Sequence, residues 1–326
     1  MKAWQVTKLG SPAEAISLLD KDIPEPGPGQ AQVKVSAVGI GLPDVLMCHG
    51  KYAFKPELPF TPGQEICGTV TAVGEGCTLS VGDRVMGITA FIEGYGGFAE
   101  YCLASESTVY PVAEGMPDAD AAAFCIPYHT AIAGLKLQGR MQPGEVLLVH
   151  GAAGGSGYTA IQLGKAMGAT VITTAGGADK LEFCLAQGAD HALNYREEDF
   201  VERVLELTDG RGADVVYDPV GGETFERSVD CIASGGRLLA IGFASGRWGA
   251  PKTQDLVMKN CSVVGVFVGA YSHAEMLPCH LELLEHYRAG RISLQLDATI
   301  GLEQVSEYLG RLERREVQGK VVVSLQ

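Results

Sequence analysis

No two cysteines of this 326-residue chain form a C-x-x-C pair; the nine lie at positions 48, 67, 77, 102, 125, 184, 231, 261 and 279. That spacing argues against a structural zinc ribbon. The opening MKAWQVTKLGSPAE also lacks an apolar h-region. An odd number of scattered cysteines without a visible secretory signal predicts reduced thiols that pack as small hydrophobes in a cytoplasmic protein. Basic side chains are scarce, 25 Lys and Arg against 39 Asp and Glu, for a formal net charge of −14. Such a balance repels phosphate backbones and anionic lipid. The one dense basic stretch, Arg311 to Arg315, is interrupted by Leu312 and Glu313. Nucleic acid and membrane surfaces are therefore not expected partners. No apolar run approaches the ~20 residues of a membrane span. Metal-ligand spacing of the H-E-x-x-H kind is missing as well, so His150, His191, His273, His280 and His286 read as structural. Low-complexity segments and internal repeats are absent.

What is present suits a soluble globular protein, with 46% hydrophobic and 20% charged residues. At roughly 150 residues per domain the length predicts about two domains with a cleft between them. The first part alternates in short strands between Gly and Pro: Ala31 to Val38, Ile66 to Val73, Val81 to Met86 and Phe98 to Leu103. That texture predicts a small barrel-like β domain. From Pro143 the pattern becomes strand, helix, strand. Apolar strands are expected at Glu145 to His150, Thr170 to Thr174, His191 to Tyr195, Ala213 to Tyr217, Gly236 to Ile241 and Ser262 to Val268. Helices are expected between them at Tyr158 to Met167, Lys180 to Gln187, Phe200 to Leu207 and Glu223 to Ala233. Alternation of this kind predicts a doubly wound parallel sheet covered on both faces. Helices Ala274 to Ala289 and Leu302 to Leu312 and a last strand, Lys320 to Leu325, complete the chain. Leu302, Val305, Leu309 and Leu312 form one apolar stripe of the second helix.

The run His150-Gly151-Ala152-Ala153-Gly154-Gly155-Ser156-Gly157 follows an expected strand and opens an expected helix. Small residues there let the backbone approach a pyrophosphate, and the helix start attracts the anion. The pattern A-x-G-x-x-G is one Gly short of the usual fingerprint, but its strand–helix–strand context supports dinucleotide binding. A nucleophile elbow, G-x-S-x-G, fails because position 158 is Tyr. An NAD site carries an acid about 20 residues past the first Gly. Here that place reads Thr173-Thr174-Ala175-Gly176-Gly177, and Asp179 suits the first turn of the next helix. Lys180 and Tyr195-Arg196 offer positive charge and a hydroxyl to a 2′-phosphate, which favours NADPH.

The runs VLLVHGAAGGSGYTAIQLGKAMGA, ALNYREED, PDVLMCHGKY, LPFTPGQEICGTVTAVGEG and VGDRVMG together resemble the zinc-independent quinone oxidoreductase branch of the medium-chain dehydrogenase/reductase superfamily, over essentially the whole chain. The resemblance implies a GroES-like β-barrel catalytic domain, residues 1–123 and 269–326, around a Rossmann dinucleotide-binding domain, residues 124–268. It also implies a homodimer paired through Ser262 to Val268. Zinc-dependent members carry a Cys where this chain has Gly41 and a G-H-E motif where it has Gly63-Gln64-Glu65. Cys125 alone cannot make a three-ligand site, so no metal is expected. Tyr52 matches a family Tyr at the cofactor and substrate cleft, as hydrogen-bond or proton donor or as packing against the ribose. Thr130 matches a helix-start Thr on the nicotinamide side. Ala153, Gly154, Gly155, Ser156, Gly157, Gly176, Lys180, Tyr195, Phe243, Ser245, Phe267, Val268 and Lys320 complete the expected cofactor set. Ser156 replaces a common Val and adds a hydroxyl that can reach phosphate. His49 stands beside the expected pocket, as proton relay or as wall. Without a metal, hydride delivery needs an acceptor that tolerates added charge, which points to a quinone or an α,β-unsaturated carbonyl. The alternatives are a non-catalytic NADPH-binding sensor or structural protein and a zinc alcohol dehydrogenase.

Overall fold

A computed structural model describes residues 1–325 of the chain. They divide into two compact units: one of Met1–Ile126, Ser272–His280 and the residues from Leu294 on, the other of Pro127–Tyr271 and Leu281–Ser293. Relative to the expected boundaries, residues 124–126 fall in the first unit and residues 269–271 and 281–293 in the second.

The first unit begins with β1 (Lys2–Val6), helix α1 (Pro12–Ala15) and β2 (Ile16–Asp20), the two strands forming an antiparallel ribbon. There follow β3 (Gln30–Ile40), α2 (Leu42–Cys48), β4 (Glu65–Val73), β5 (Arg84–Ile88), β6 (Tyr101–Ser105), β7 (Val109–Pro111) and α3 (Asp118–Ala121), and then α4 (Cys125–Ile132), most of which belongs to the second unit. The second unit is built from β8 (Val146–Val149), α5 (Gly155–Ala166), β9 (Thr170–Ala175), α6 (Ala178–Ala186), β10 (His191–Asn194), α7 (Phe200–Leu207), β11 (Ala213–Asp218), α8 (Gly222–Ser228), β12 (Ile232–Ala240), α9 (Thr253–Lys259) and β13 (Ser262–Gly265). Helix α10 (His273–Arg288), strand β14 (Leu296–Ile300), helix α11 (Val305–Glu313) and strand β15 (Lys320–Ser324) close the described chain.

The long strand β3 organises the first unit. One edge of β3 pairs with β4, while its other edge pairs with β6 from Gln30 to Lys34 and with β15 from Ala37 to Ile40. Changing partners along one strand curls the sheet, whose order is β14-β15-β3-β4-β5-β7. Val33, Val35, Val38, Ile66, Phe98, Val305, Leu309 and Val321 meet in its core. The stripe read from Leu302 to Leu312 does dock, but only after a 3-10 turn at Leu302–Gln304.

In the second unit all six strands run parallel, in the order β10-β9-β8-β11-β12-β13. β8 is buried along its whole length, as a strand covered on both faces must be. Its neighbours are β9 on one side and β11 on the other, so the order reverses beside β8. The crevice at the carboxyl ends of β8 and β11 is where open α/β sheets bind ligands.

Several boundaries differ from expectation for visible reasons. The strand expected from Val81 starts at Arg84, because Ser80 to Asp83 forms a turn with Gly82 at φ 98°. Phe98 lies in a bend, Ala99 makes only an isolated bridge to Ala3, and the strand starts at Tyr101. The helix expected to reach Ala233 stops at Ser228, since Ile232 already pairs with Ala213 in the parallel sheet. The strand expected to reach Val268 ends at Gly265, and Val268–Ala270 is a 3-10 turn. No described helix is long and apolar enough to cross a membrane.

Candidate functional site

Strand β8 ends at Val149, and the chain turns through Gly151, whose φ of 56° favours glycine. Gly154 caps α5, and its carbonyl accepts from the N–H of Gly157 and of Tyr158. A Cβ on Gly157 would stand 2.5 Å from Gly151 O, so the close pass of helix against loop requires glycine there. The N–H groups of Gly155 and Ser156 make no backbone bond. They are the orphan donors a helix start offers to an anion. Ala153 is buried against this turn.

Two buried polar contacts hold the loop. Ser156 Oγ lies 2.7 Å from the hydroxyl of Tyr217, at the end of β11. His150, fully buried, is 2.8 Å from Thr174 Oγ1 through Nδ1 and 2.9 Å from Ser228 Oγ through Nε2. Ser228 gives its own proton to Thr224 O, so Nε2–H donates to Ser228 and Thr174 donates to Nδ1. Burial pushes this imidazole down to about 3. The ring is neutral and braces β8 to β9 and α8.

At the end of β9 two of the expected 2′-phosphate residues, Tyr195 and Arg196, meet over Gly176. A Cβ on Gly176 would stand 2.7 Å from the Tyr195 hydroxyl and 2.9 Å from Arg196 Nε. Glycine leaves that space to a phenol and a guanidinium. Asn194 Oδ1 accepts from the N–H groups of Gly177 and Arg196 and shapes the turn. Lys180 is half-buried in α6, and Asp179 occupies the first turn of that helix, as expected.

Beyond β11, Asp218 Oδ1 accepts from Val220 N and Gly221 N, while Oδ2 has no partner. Burial pushes this carboxyl up to about 6 against those two bonds. The loop it shapes is zippered to the next one by Ala244 N to Pro219 O and Ser245 N to Val220 O. Phe243 packs on Trp248 with ring centroids 4.7 Å apart. Ser245 is exposed and bonds Arg247 O. Phe267 is 52% exposed just past β13, and Val268 is half-buried. The expected residues of this unit therefore lie after the carboxyl ends of β8, β9, β10, β12 and β13. Thr130 is the exception: it sits in the second turn of α4, not at a helix start.

In the first unit Tyr52 follows α2, half-buried, with its ring edge-on to Phe54 at 5.9 Å. Burial pushes its phenol above the ordinary value, a hydrogen bond with Gln64 pulls down and the Asp44 charge pushes up. Asp44 is buried, accepting from Gly41 N at 2.9 Å and from Gly63 N at 3.0 Å. Burial raises it to about 6 against those bonds. Gln64, at one zinc-ligand position, gives its amide to Met47 Sδ, and Gly41, at the other, has no side chain to offer. Cys125 Sγ and a His280 ring nitrogen lie within 4.8 Å of each other, the spacing of metal ligands. Burial pushes the Cys125 thiol well above its ordinary value and His280 down to about 4, with His280 Nε2 donating to Pro111 O.

His49 and Lys320 are both engaged inside this unit. His49 pairs with Glu313 at the end of α11. Lys320 Nζ stands 3.2 Å from Glu65 Oε2, and Glu65 Oε1 accepts from Ile126 N. Sequence reasoning missed Asp44, Glu65, Thr174 and Tyr217. A Tyr closing the apolar run ADVVY was the available signal, because a buried phenol needs a partner.

A curled, mostly antiparallel sheet joined in one chain to a dinucleotide-type parallel sheet is the architecture of the medium-chain dehydrogenase/reductase class. Residues 27–114 match the alcohol dehydrogenase GroES-like domain, and residues 155–286 match the zinc-binding dehydrogenase family. The chain is 38% identical to a quinone oxidoreductase-like protein 2 homolog of Nematostella vectensis, over 88% of this chain and 79% of that one. Among solved structures, Escherichia coli quinone oxidoreductase complexed with NADPH superposes with a TM-score of 0.90 at 30% identity, covering 99% of this chain and all of that one. A mycobacterial protein, Rv1454c, complexed with NADPH gives 0.92 at 32% identity, again over 99% and 100%. This chain belongs to the quinone oxidoreductase branch of the medium-chain dehydrogenase/reductase superfamily.

Proposed function

We propose that this oxidoreductase uses NADPH, works without a catalytic zinc, and reduces a quinone or an α,β-unsaturated carbonyl compound. The observation that carries the reading is the end of β9, where Tyr195 and Arg196 gather over Gly176 and no carboxylate takes the ribose-binding place. The glycine cradle of Gly154 to Gly157 suits a diphosphate, and the NADPH complexes of the solved relatives support the same cofactor. The residues at the zinc positions do not suit a metal: Gly41 has no donor, and Gln64 is held by Met47.

NADPH supplies the hydride when bound. The chain's part is to hold the diphosphate at the loop after β8 and the 2′-phosphate with Lys180, Tyr195 and Arg196. Tyr52, held protonated at neutral pH by its burial and by Asp44, donates to the acceptor oxygen on which charge gathers. A quinone that gains one hydride and one proton leaves as a hydroquinone. An enone follows the same course through its enolate, whereas a saturated ketone lacks such delocalisation. The exposed edge strand β13, with Val263 41% exposed and Phe267 beyond it, supports a homodimer formed through that edge. Nine free cysteines suit the cytoplasm.

The test follows loss of reduced nicotinamide absorbance by chelator-stripped protein offered a 1,4-quinone, a 2-enal or a saturated ketone. Turnover of the first or second and not the third is expected. Turnover of the ketone that disappears on stripping would make it a zinc alcohol dehydrogenase. Tight NADPH binding with no turnover at all would make it a binding protein. For the cofactor, Lys180→Ala is expected to raise the NADPH dissociation constant by about 10-fold or more, the loss of a charge-assisted hydrogen bond, and to leave NADH nearly unchanged. Equal effects on both would overturn the NADP assignment.

A further inference from the structure

The hydroxyl pair of Ser156 and Tyr217 spans the place where the strand order reverses, from the loop after β8 to the end of β11. Tyr217 is fully buried, and Ser156 Oγ at 2.7 Å is the partner its phenol finds. A buried O–H without an acceptor is strongly disfavoured. The phenol therefore donates, Ser156 Oγ accepts, and the serine's own proton must point elsewhere. Burial keeps that phenol protonated by raising it above its ordinary value. Ser156 is half-buried at the second residue of α5. Beside it are the unbonded N–H groups of Gly155 and Ser156, whereas those of Gly157 and Tyr158 are already bonded to Gly154 O.

We propose that Tyr217 is a positioning residue: it fixes the proton of Ser156 so that this hydroxyl, with the N–H groups of Gly155 and Ser156, donates to the diphosphate of the dinucleotide. This rests on the NADPH reading above and adds a side-chain donor to a loop that otherwise offers only backbone. A hydroxyl whose lone pair is already engaged is the stronger donor. The pair thus acts as one unit, with the phenol out of reach of the ligand.

The experiment measures equilibrium binding of NADPH and of adenosine 2′-monophosphate, which keeps the 2′-phosphate and lacks the diphosphate. Wild type, Ser156→Ala, Tyr217→Phe and the double variant are compared, each with its melting temperature. Ser156→Ala is expected to weaken NADPH binding about 10-fold and Tyr217→Phe about 3-fold, with the double variant matching Ser156→Ala. Adenosine 2′-monophosphate should bind all four alike. Melting should fall in Ser156→Ala, where the phenol loses its acceptor, and recover when Tyr217→Phe is added. Additive losses in the double variant, an equal loss for adenosine 2′-monophosphate, or unchanged NADPH binding by Ser156→Ala would each overturn the proposal. A wild type that binds neither ligand would instead overturn the NADPH reading, and this proposal with it.

Discussion

Replacing Lys320 by methionine is expected to lower the free energy of unfolding by about 3–5 kcal/mol, the usual cost of removing one partner from a buried ion pair. The pair is among the best enclosed of the chain, with side-chain exposures of 8% for Lys320 and 1% for Glu65. Burial already pushes the Glu65 carboxyl above its ordinary range, against the pull of the ammonium and of the N–H groups of Ile126 and Cys125. Without Lys320 that carboxyl keeps its desolvation and loses its main compensation. Gly39 on β3 shows how tightly the site is fitted: a Cβ there would stand 2.4 Å from Ala122 O and about as near to both charged groups as a hydrogen bond. The check is urea unfolding of Lys320→Met beside the double variant with Glu65→Gln. Neutralising the orphaned acid should recover much of the loss. A cost below about 1 kcal/mol, the range of exposed pairs, would mean that the pair does not stabilise this unit.

Gly157→Val is expected to weaken NADPH binding about 100-fold, the scale of effect that follows when binding groups move by about 1 Å. It should also cost about 3 kcal/mol of stability, because the new side chain overpacks a junction without slack. An added Cβ would lie 2.5 Å from Gly151 O and 2.6 Å from Ala152 Cα, so α5 must lift away from the loop that feeds it. Gly154→Ala is the control, since its Cβ meets only Gly151 O at 3.4 Å and should leave the melting temperature unchanged. Titration of NADPH against all three proteins, with thermal melts, decides the matter. Wild-type affinity in Gly157→Val would show that the close pass is not what shapes the loop.

How much of this was legible in the sequence depends on the scale of the signal. The parallel sheet announced itself through short apolar runs between helices, and the glycine loop through its position between β8 and α5. Helix α7 was read at its true ends, where the structure shows Asp199 as its cap and Phe200 and Val204 on its buried side. By contrast β13 was read too long, since Val266, Phe267 and Val268 are as apolar as a strand but leave the sheet in a turn. Local composition does not show where a ladder stops. The polar interior was the least legible part. Asp44 and Glu65 look like ordinary surface acids in a linear reading, and only the fold brings Gly63 N–H to one and Lys320 to the other. Lys320 was placed by resemblance beside the cofactor, while the structure gives its ammonium a buried partner 255 residues away in the chain.

His150 carries a consequence for how the loop after β8 responds to acid. An imidazole normally gains charge as the surroundings acidify, and a loop resting on one would loosen whenever the cell does. This ring titrates only near 3 and has both nitrogens committed to hydroxyl partners. It serves as a permanently neutral two-ended linker, much as an amide would. The brace between the loop after β8, Thr174 and Ser228 therefore keeps its hydrogen bonds as the surroundings acidify through the physiological range.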